Sequence, residues 1–455
     1  MAGKGTAQFD KMTKTPVSRL ILTLAVPTVI SMLVTNVYNL VDTAFVGRLG
    51  NSASGAVGVV FGYMAILQAI GFMCGQGGGS LVARLLGAQK EDDASRHAST
   101  AICFSFTFGL AAALLTTVFM DPVITFLGST DTIRPHAKVY IRYILIAAPF
   151  ITSSFTMNNI LRFEGKAVLG MVCLFAGAVV NMAGDPILMF GFDMGLAGAG
   201  LSTCLSQILG FCLLLSMFLR RKTTCRLQPS FITPVLLGNI CATGLPSLLR
   251  QGLQSAATII LNWEVRPYGD AAVAAMSIVS RVTFFVFSVA IGIGQGFQPV
   301  SGFNYGAGYY SRVRKGYRFT LMAAEGLIMA ATTVMFLLSG NVIGIFRDDP
   351  EVIRIATRAL RLQCGALWFF PVAMVTEMML QSTGHKVGAS VLSSLRSGIC
   401  FIPTLLILAH LRGLAGIQEA QPLAYVLSFF PGLAFGIWMM KKMPAGDHPV
   451  GSGAP

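Results

Sequence analysis

The sequence predicts an all-α integral membrane protein with twelve transmembrane helices in two homologous six-helix lobes. Three observations support this prediction: the composition, the length of the apolar runs and an internal repeat. Of the 455 residues, 54% are hydrophobic and only 11% are charged, and the mean hydropathy is +0.70. Soluble domains are less apolar and more charged, so we expect the chain to lie in a bilayer.

The apolar runs indicate the type and number of the elements. None alternates between apolar and polar residues as the strands of a closed barrel do, so each run predicts a helix. At roughly 20 residues per crossing, the chain holds about twelve of them. The runs are Leu20–Val46, Ser54–Val82, Ala101–Met120, Tyr140–Leu161, Val168–Phe190, Leu196–Leu219, Pro234–Trp263, Ala271–Phe303, Phe319–Ile345, Leu362–Leu380, Val387–Ala409 and Leu414–Met440.

An internal repeat organises these helices. Pro27 corresponds to Pro246 at an offset of 219 (246 − 27 = 219), and the same offset pairs the GQG motifs at 75–77 and 294–296. We therefore predict an N-terminal lobe at 1–226, with helices 1–6, and a C-terminal lobe at 227–455, with helices 7–12. Six helices return the chain to the same side, so the halves share one orientation, as in transporters built from parallel repeats.

The positive charge follows the predicted topology. The formal net charge of +14 could suit nucleic acid, but the basic residues concentrate at the two ends and after even-numbered helices, as in the connector Arg220–Arg226. Cytoplasmic loops of membrane proteins carry such an excess of Lys and Arg. We therefore expect both termini in the cytoplasm, the lipid bilayer as a partner and no nucleic-acid partner.

Two carboxylates interrupt the apolar runs of the first half. Asp42 has Leu261 at its repeat position, and Asp185 has Thr404, or Pro403 where the offset slips to 218, so the acids are not part of the shared fold. A carboxylate at the centre of a membrane helix costs about 2.5–3.5 kcal/mol, which makes such residues functional candidates. The alternatives are a helix-end carboxylate near solvent for Asp42 and a cap beside a kink for Asp185.

Other polar residues share helix faces with these acids. Thr35 and Tyr38 lie on the face of the first acid, Asn181 lies on the face of the second, and Thr203 is on the following helix. Carboxylates, an amide and hydroxyls form an all-oxygen set. Such a set suits a hard cation, or a proton shared between coupled acids.

Prolines and glycines mark bends and close packing. Pro27 and Pro186 are candidate hinges, because each removes a hydrogen bond from residue i to residue i−4. The glycine-rich run at 75–79 lies within an apolar run and lacks a following Lys-Ser or Lys-Thr pair. It predicts close helix packing and not phosphate binding.

The second half carries basic residues within or near its apolar runs, with acidic residues nearby. They are Arg250, Arg281 and Arg396, and Glu264, Glu325 and Glu377. Interfacial snorkelling or structural ion pairing is the simpler interpretation. The alternative is that arginines lining a cavity bind an anionic substrate.

Several motifs resemble segments of MATE multidrug and toxin extrusion transporters. The motifs are VDTAFVGRLG, NMAGDPILMFG, GLAGAGLSTCLSQ and GIGQGFQPVSGFNYGAG. The resemblance spans about Thr15 to Met443 and is strongest for the prokaryotic DinF-like and MepA-like branch. It implies a twelve-helix, two-lobed exporter that expels organic cations and other amphipathic drugs in exchange for H⁺ or Na⁺.

The resemblance also implies site residues. The positions that look like the cation-site motifs of DinF-like members are Tyr38, Asp42, Tyr140, Asn158, Asn181, Asp185 and Thr203. If the ion is Na⁺, its expected ligands are Asp42, Asn181, Asp185 and Thr203. Candidates for the substrate cavity are Thr35, Asn36, Tyr140, Asn158, Arg250 and Gln254. NorM-like members carry a carboxylate where Gln254 stands, so a cation site in the second half is not expected.

The expected function is therefore secondary active antiport of amphipathic, cationic drugs, with no cofactor and with Na⁺ or H⁺ as the coupling ion. The expected setting is a monomer in the cell's inner membrane, with small-molecule substrates. One alternative is a lipid-linked oligosaccharide flippase of the same superfamily. A membrane-embedded enzyme is another, but the sequence has no HxxxD, HExxH or P-loop motif.

Overall fold

Long helices make up most of the protein in the computed structural model, which describes residues 3–228, 233–346 and 349–450. Those ranges contain no β-strand. The twelve long helices are α1 (Val17–Gly47), α2 (Asn51–Gly87), α3 (Glu91–Val118), α4 (Arg134–Phe163), α5 (Ala167–Pro186), α6 (Gly195–Leu219), α7 (Pro234–Val265), α8 (Asp270–Gly306), α9 (Tyr310–Leu337), α10 (Pro350–Thr383), α11 (386–412) and α12 (Leu414–Lys442).

Ten of these helices in the described ranges are long and apolar enough to cross a membrane. The other two are α7, whose polar residues include Arg250 and Gln254, and α11, which contains a π-helical turn at Leu395–Ile399. Both occupy the positions that the repeat assigns to a helix. The predicted all-α, twelve-helix membrane fold is confirmed.

Equivalent helices of the two halves begin and end at equivalent positions of the repeat. When the first half is shifted by the repeat offset, α2 coincides with α8 at both ends, and α3 coincides with α9. The short helices Met120–Phe126 and Ser339–Phe346 also begin at equivalent positions of the repeat. Gly165 and Gly384, one repeat apart, both have left-handed backbone, with φ of 77° and 92°, a conformation that glycine adopts without a steric penalty. The two halves therefore share one helical frame.

The chain packs as two compact units whose limits differ from the repeat boundary. Unit 1 comprises Met1–Phe9 and Ile30–Gly244, and unit 2 comprises Asp10–Val29 and Leu245–Pro455. Helices α1 and α7 thus change unit within their own length, close to Pro27 and Pro246. The lobe assignment at 1–226 and 227–455 follows the repeat and remains a prediction.

One helix lies at the centre of each unit. In unit 1, α4 packs against α2, α3 and α6, and in unit 2, α10 packs against α8 and α12. Every residue of the second part of α10, Phe370–Thr383, is buried. A helix that is buried on all sides needs partners on all sides, and the neighbouring long helices supply them.

Glycines allow the first part of α7 to approach α2 within unit 1. A Cβ atom on Gly77 would overlap the Ile240 carbonyl oxygen and lie 2.8 Å from the Gly244 nitrogen. Unit 2 repeats this contact between α8 and α1, where a Cβ on Gly296 would lie 2.6 Å from the Ala25 Cα. The expected role of the glycine-rich segments in close helix packing agrees with this geometry.

We expect Gly77→Ala to lower the stability of the protein, because its methyl group has no room between the backbones of α2 and α7. Overpacking of this kind costs about 1–3 kcal/mol. The measurement is the midpoint of thermal unfolding of the purified protein in detergent. Gly58→Ala is the matched control, because the same change in the same helix meets no atom within 4 Å. Equal midpoints for the two variants would contradict the packing described above.

Candidate functional site

A buried polar cluster lies in unit 1, where α1, α5 and α6 supply its side chains. Asp42 comes from α1, Asn181 and Asp185 come from α5, and Thr203 comes from α6. These four residues are at most 3% exposed. Tyr38, one helical turn before Asp42, is half-buried. Its hydroxyl is close enough to the carboxyl groups of Asp42 and Asp185 to interact electrostatically with both. The structure thus brings together the residues for which we predicted a role in ion coupling.

Asn181 is the centre of the hydrogen bonds in this cluster. Its Nδ2 lies 3.5 Å from Asp185 Oδ1, 3.4 Å from Ser202 Oγ and 3.4 Å from Thr203 Oγ1. The Ser202 hydroxyl donates to the Asn181 carbonyl oxygen at 3.1 Å. The hydroxyls of Thr203 and the fully buried Tyr140 of α4 are 3.4 Å apart. Three helices, α4, α5 and α6, therefore contribute to one hydrogen-bond network.

The carboxyl groups of Asp42 and Asp185 lie within hydrogen-bonding reach of each other. Two carboxylates at this separation repel unless they share a proton or a cation lies beside them. Three buried oxygens of the described cluster, Asp42 Oδ1, Asn181 Oδ1 and Asp185 Oδ2, have no hydrogen-bond partner. Oxygen ligands of this type suit a hard cation, so the cluster can hold either a proton or a metal ion such as Na⁺.

An open cavity with about 700 Å³ of atom-free space adjoins this cluster. Thr35, Tyr38 and Asn181 are among the residues that line it. Tyr140 and Asn158, which we predicted for the substrate cavity, lie elsewhere. Tyr140 belongs to the hydrophobic core of unit 1, and Asn158 Nδ2 would lie 2.6 Å from a Cβ built on Gly170 of α5. The half-buried Asn36 is also absent from the lining.

Ser202 is a member of the cluster that the sequence did not reveal. Its hydroxyl donates to the Asn181 carbonyl and is close enough to the Asp185 carboxyl to interact with it. Gly184 allows this approach, since a Cβ on that residue would lie 2.6 Å from Ser202 Oγ. On a single helix wheel, Ser202 and Thr203 point about 100° apart. Only the close crossing of α5 and α6 makes both of them neighbours of Asn181.

The two candidate hinge prolines lie at different kinds of position. Pro27 is inside α1, close to the residue at which that helix passes from unit 2 to unit 1. Pro186 ends α5 and precedes a π-helical turn at Ile187–Gly191. In that turn the Phe192 N–H donates to the Ile187 carbonyl at 2.9 Å. Pro186 therefore directly follows the Asp185 carboxylate and precedes this irregular backbone.

Unit 2 has its own cavity, with about 1020 Å³ of atom-free space. Arg250 and Gln254 of α7 line it, as does Arg396 of α11. Arg250 Nη1 forms a buried salt bridge of 2.8 Å with Glu377 Oε1 of α10. Leu261, the repeat mate of Asp42, also lines this cavity. The predicted structural ion pair is present for Arg250, which also borders the cavity.

A family model described as MatE matches residues 27–187 and 246–407. The two matches cover more than half of the chain, and each falls in one of the homologous halves. The multidrug export protein MepA of Staphylococcus saprophyticus is 26% identical over 407 residues, which are 89% of this chain and 90% of that protein. MepA of Staphylococcus aureus has the same identity and coverage.

Solved structures share the fold. A MATE in complex with MaD3S is 25% identical, with a TM-score of 0.88 over 95% of this chain and 99% of that one. A multidrug resistance MATE transporter of the MOP superfamily in an outward-facing conformation is 24% identical, with a TM-score of 0.90 over 97% of this chain and 98% of that one. The predicted resemblance is confirmed, and the family and the named relatives are transporters, not enzymes. The chain belongs to the MatE family of multi-pass membrane transporters.

Proposed function

We propose that this chain is a secondary active antiporter that exports amphipathic, cationic drugs in exchange for Na⁺ or H⁺. The observation that supports this most directly is the buried pair of carboxyl groups, Asp42 and Asp185, within an all-oxygen cluster of the first half. Intramembrane acids are costly to bury and mark ion and substrate pathways. Relatives named as multidrug export proteins support the class of substrate.

In the proposed cycle, ion and substrate compete for the same charge. A cation or proton bound between Asp42 and Asp185 neutralises the pair, and this neutralisation weakens the attraction of the adjoining cavity for a cationic drug. Loss of the ion on the cytoplasmic side restores that attraction. Pro27 and Pro186 are the proposed bending points of α1 and α5, because neither proline can donate a backbone hydrogen bond within its helix.

The proposed orientation has both termini in the cytoplasm of a bacterial cell, with the chain as a monomer in the inner membrane. The concentration of basic residues in the connector Arg220–Arg226 and at Lys441 and Lys442 supports it. The terminal residues 1–2 and 451–455 lie outside the described ranges.

The first test is Asp42→Asn in proteoliposomes loaded with a fluorescent cationic drug, under imposed pH or Na⁺ gradients. The change removes one charge and little volume, so the protein should insert and fold while the initial rate of export falls about tenfold or more, because an intramembrane carboxylate carries the coupling. Leu261→Asn is the matched control, since it adds an amide at the repeat position, and its rate should stay near that of the wild type. Unchanged export by well-folded Asp42→Asn would refute the assigned role.

The same vesicles separate the alternative functions. Drug export that responds to neither gradient would overturn the antiporter proposal. Flipping of a lipid-linked oligosaccharide in place of drug export would favour a flippase.

The second test asks which ion is coupled. A Na⁺ ion needs several oxygen ligands in place of its hydration shell, whereas a proton needs only one basic carboxylate. If Na⁺ drives export, Asn181→Ala removes a neutral ligand and should raise the Na⁺ concentration for half-maximal export about tenfold or more, with little change in the pH profile. If H⁺ drives export, the variant should shift the pH profile and show no Na⁺ response. Ser216→Ala is the control and should alter neither, because Ser216 lies near the C-terminal end of α6, its hydroxyl donates to the Leu213 carbonyl and it does not line the cavity.

A further inference from the structure

The cavity of unit 2 contains a buried cation that lacks a direct ion partner. Arg396 is 6% exposed, and within the described residues its guanidinium forms neither a salt bridge nor a hydrogen bond. The ionisable groups close enough to act on its charge are Glu377, Arg250 and Tyr425. Glu377 already accepts the hydrogen bond from Arg250 at 2.8 Å, so one carboxylate faces two guanidinium groups. This group of charges has an excess of one positive charge.

Comparison of the halves shows that this charge is not required by the shared helical frame. At the repeat offset, Arg250 corresponds to Ser31 and Arg396 corresponds to Gly177, and both first-half residues line the cavity of unit 1. The corresponding cavities therefore differ in polarity. The cavity of unit 1 adjoins two carboxylates, whereas the charged residues that line the cavity of unit 2 in the described ranges are the two arginines.

A local feature of α11 accompanies this arginine. Arg396 lies in the π-helical turn Leu395–Ile399, where the Cys400 N–H donates to the Leu395 carbonyl at 2.8 Å. The extra residue in a π turn changes the direction of the side chains, and such turns are frequent at functional sites. The π turn of α5, Ile187–Gly191, is not at the corresponding position. The residues of α5 that correspond to Leu395–Ile399 are α-helical, so the two π turns have different positions in the two halves.

Aromatic rings complete the lining of this cavity. The Arg396 guanidinium carbon lies 4.9 Å from the centroid of the Phe370 ring, a cation–π contact that lowers the cost of burying the charge. Phe287 packs on Phe370 and on Tyr425, with ring centroids 4.4 and 5.8 Å apart. A flat aromatic group fits against such surfaces, and an anionic group on it can reach the guanidinium.

We propose that the cavity of unit 2 is a binding site for organic anions and takes an aromatic carboxylate, with Arg396 as the anion-binding group. Arg250 also lines the cavity but is paired with Glu377, so the excess positive charge of this group lies on Arg396. A guanidinium donates two parallel hydrogen bonds to a carboxylate. The site is independent of the coupling cluster around Asp42 and would accept the acidic part of a zwitterionic drug or a simple aromatic acid.

The test compares two dyes that differ only in the carboxyl group. Tetramethylrhodamine and its methyl ester share the xanthylium cation, but only the first has a free carboxylate. Binding to the full-length protein in phosphatidylcholine nanodiscs is followed by fluorescence anisotropy. We expect the acid to bind about tenfold more tightly than the ester, because a hydrogen-bonded charge pair at a buried site is worth at least one decade in affinity. In Arg396→Gln this preference should disappear, and in Arg396→Lys it should persist in part.

Two control variants separate this site from other charges. Arg281→Gln removes an exposed arginine of α8 and should leave the preference unchanged. Asp42→Asn should also preserve it, even if that variant no longer exports drugs, so that failure of the proposed antiport is distinguishable from failure of the anion site. Equal affinities of acid and ester for the wild type would overturn the proposal, and so would an undiminished preference in folded Arg396→Gln.

A competition experiment keeps the proposal testable if Arg396→Gln does not fold. Benzoate should displace the acid dye from the wild-type protein, whereas benzyl alcohol, of similar size but uncharged, should not. Inorganic phosphate should compete more weakly than benzoate, because it gains nothing from the aromatic walls. Displacement by benzyl alcohol as strong as by benzoate would contradict the role of charge, and stronger displacement by phosphate would contradict the aromatic character of the site.

Discussion

In a hydrocarbon environment, a polar group has no water to bond, so each must find its partner within the protein. The helices satisfy their backbones internally, and many hydroxyls follow the same rule by bonding the carbonyl one turn earlier. Thr28 and Thr332 do so at 2.8 and 2.7 Å. A carboxylate cannot be satisfied in this way, because it only accepts hydrogen bonds, and a buried charge of either sign also needs a counter-charge or several polar partners. The residues that break the rule are therefore the ones that require a functional explanation.

The internal repeat strengthens this argument, because the same arrangement of helices holds buried acids in the first half and buried arginines in the second. The helix ends of α2 and α8 coincide after the repeat shift, as do the close contacts at Gly77 and Gly296. The two halves thus pack equivalent helices against each other in the same way. Asp42 corresponds to Leu261, however, and Arg396 corresponds to Gly177. Since the other half holds an uncharged residue at each of these positions, the shared helical frame does not account for the charges.

The sequence predicted the frame and most of the cluster, because both depend on periodic patterns. Apolar runs and the repeat give twelve helices, and spacings of three or four residues place Asn181 with Asp185. Ser202 escaped this reasoning because its place in the cluster depends on how closely α5 crosses α6 at Gly184, a tertiary contact. The π turn at Leu395–Ile399 was not predicted either, because it contains no proline that would mark an irregular backbone. The change of unit near Pro27 was not predicted because it depends on packing between distant segments.

Ligand binding and the cost of burial are connected in both cavities. Two carboxyl groups within hydrogen-bonding reach cannot both ionise without a compensating charge, so the pair of Asp42 and Asp185 is most stable when it holds a proton or a cation. Arg396 is in the opposite situation, as a buried cation without a direct counter-ion. A site of this kind favours occupied states over empty ones. In the proposed cycle, the first half therefore alternates between a bound ion and a bound cationic substrate, because full release to an empty, doubly charged pair would carry the largest electrostatic cost.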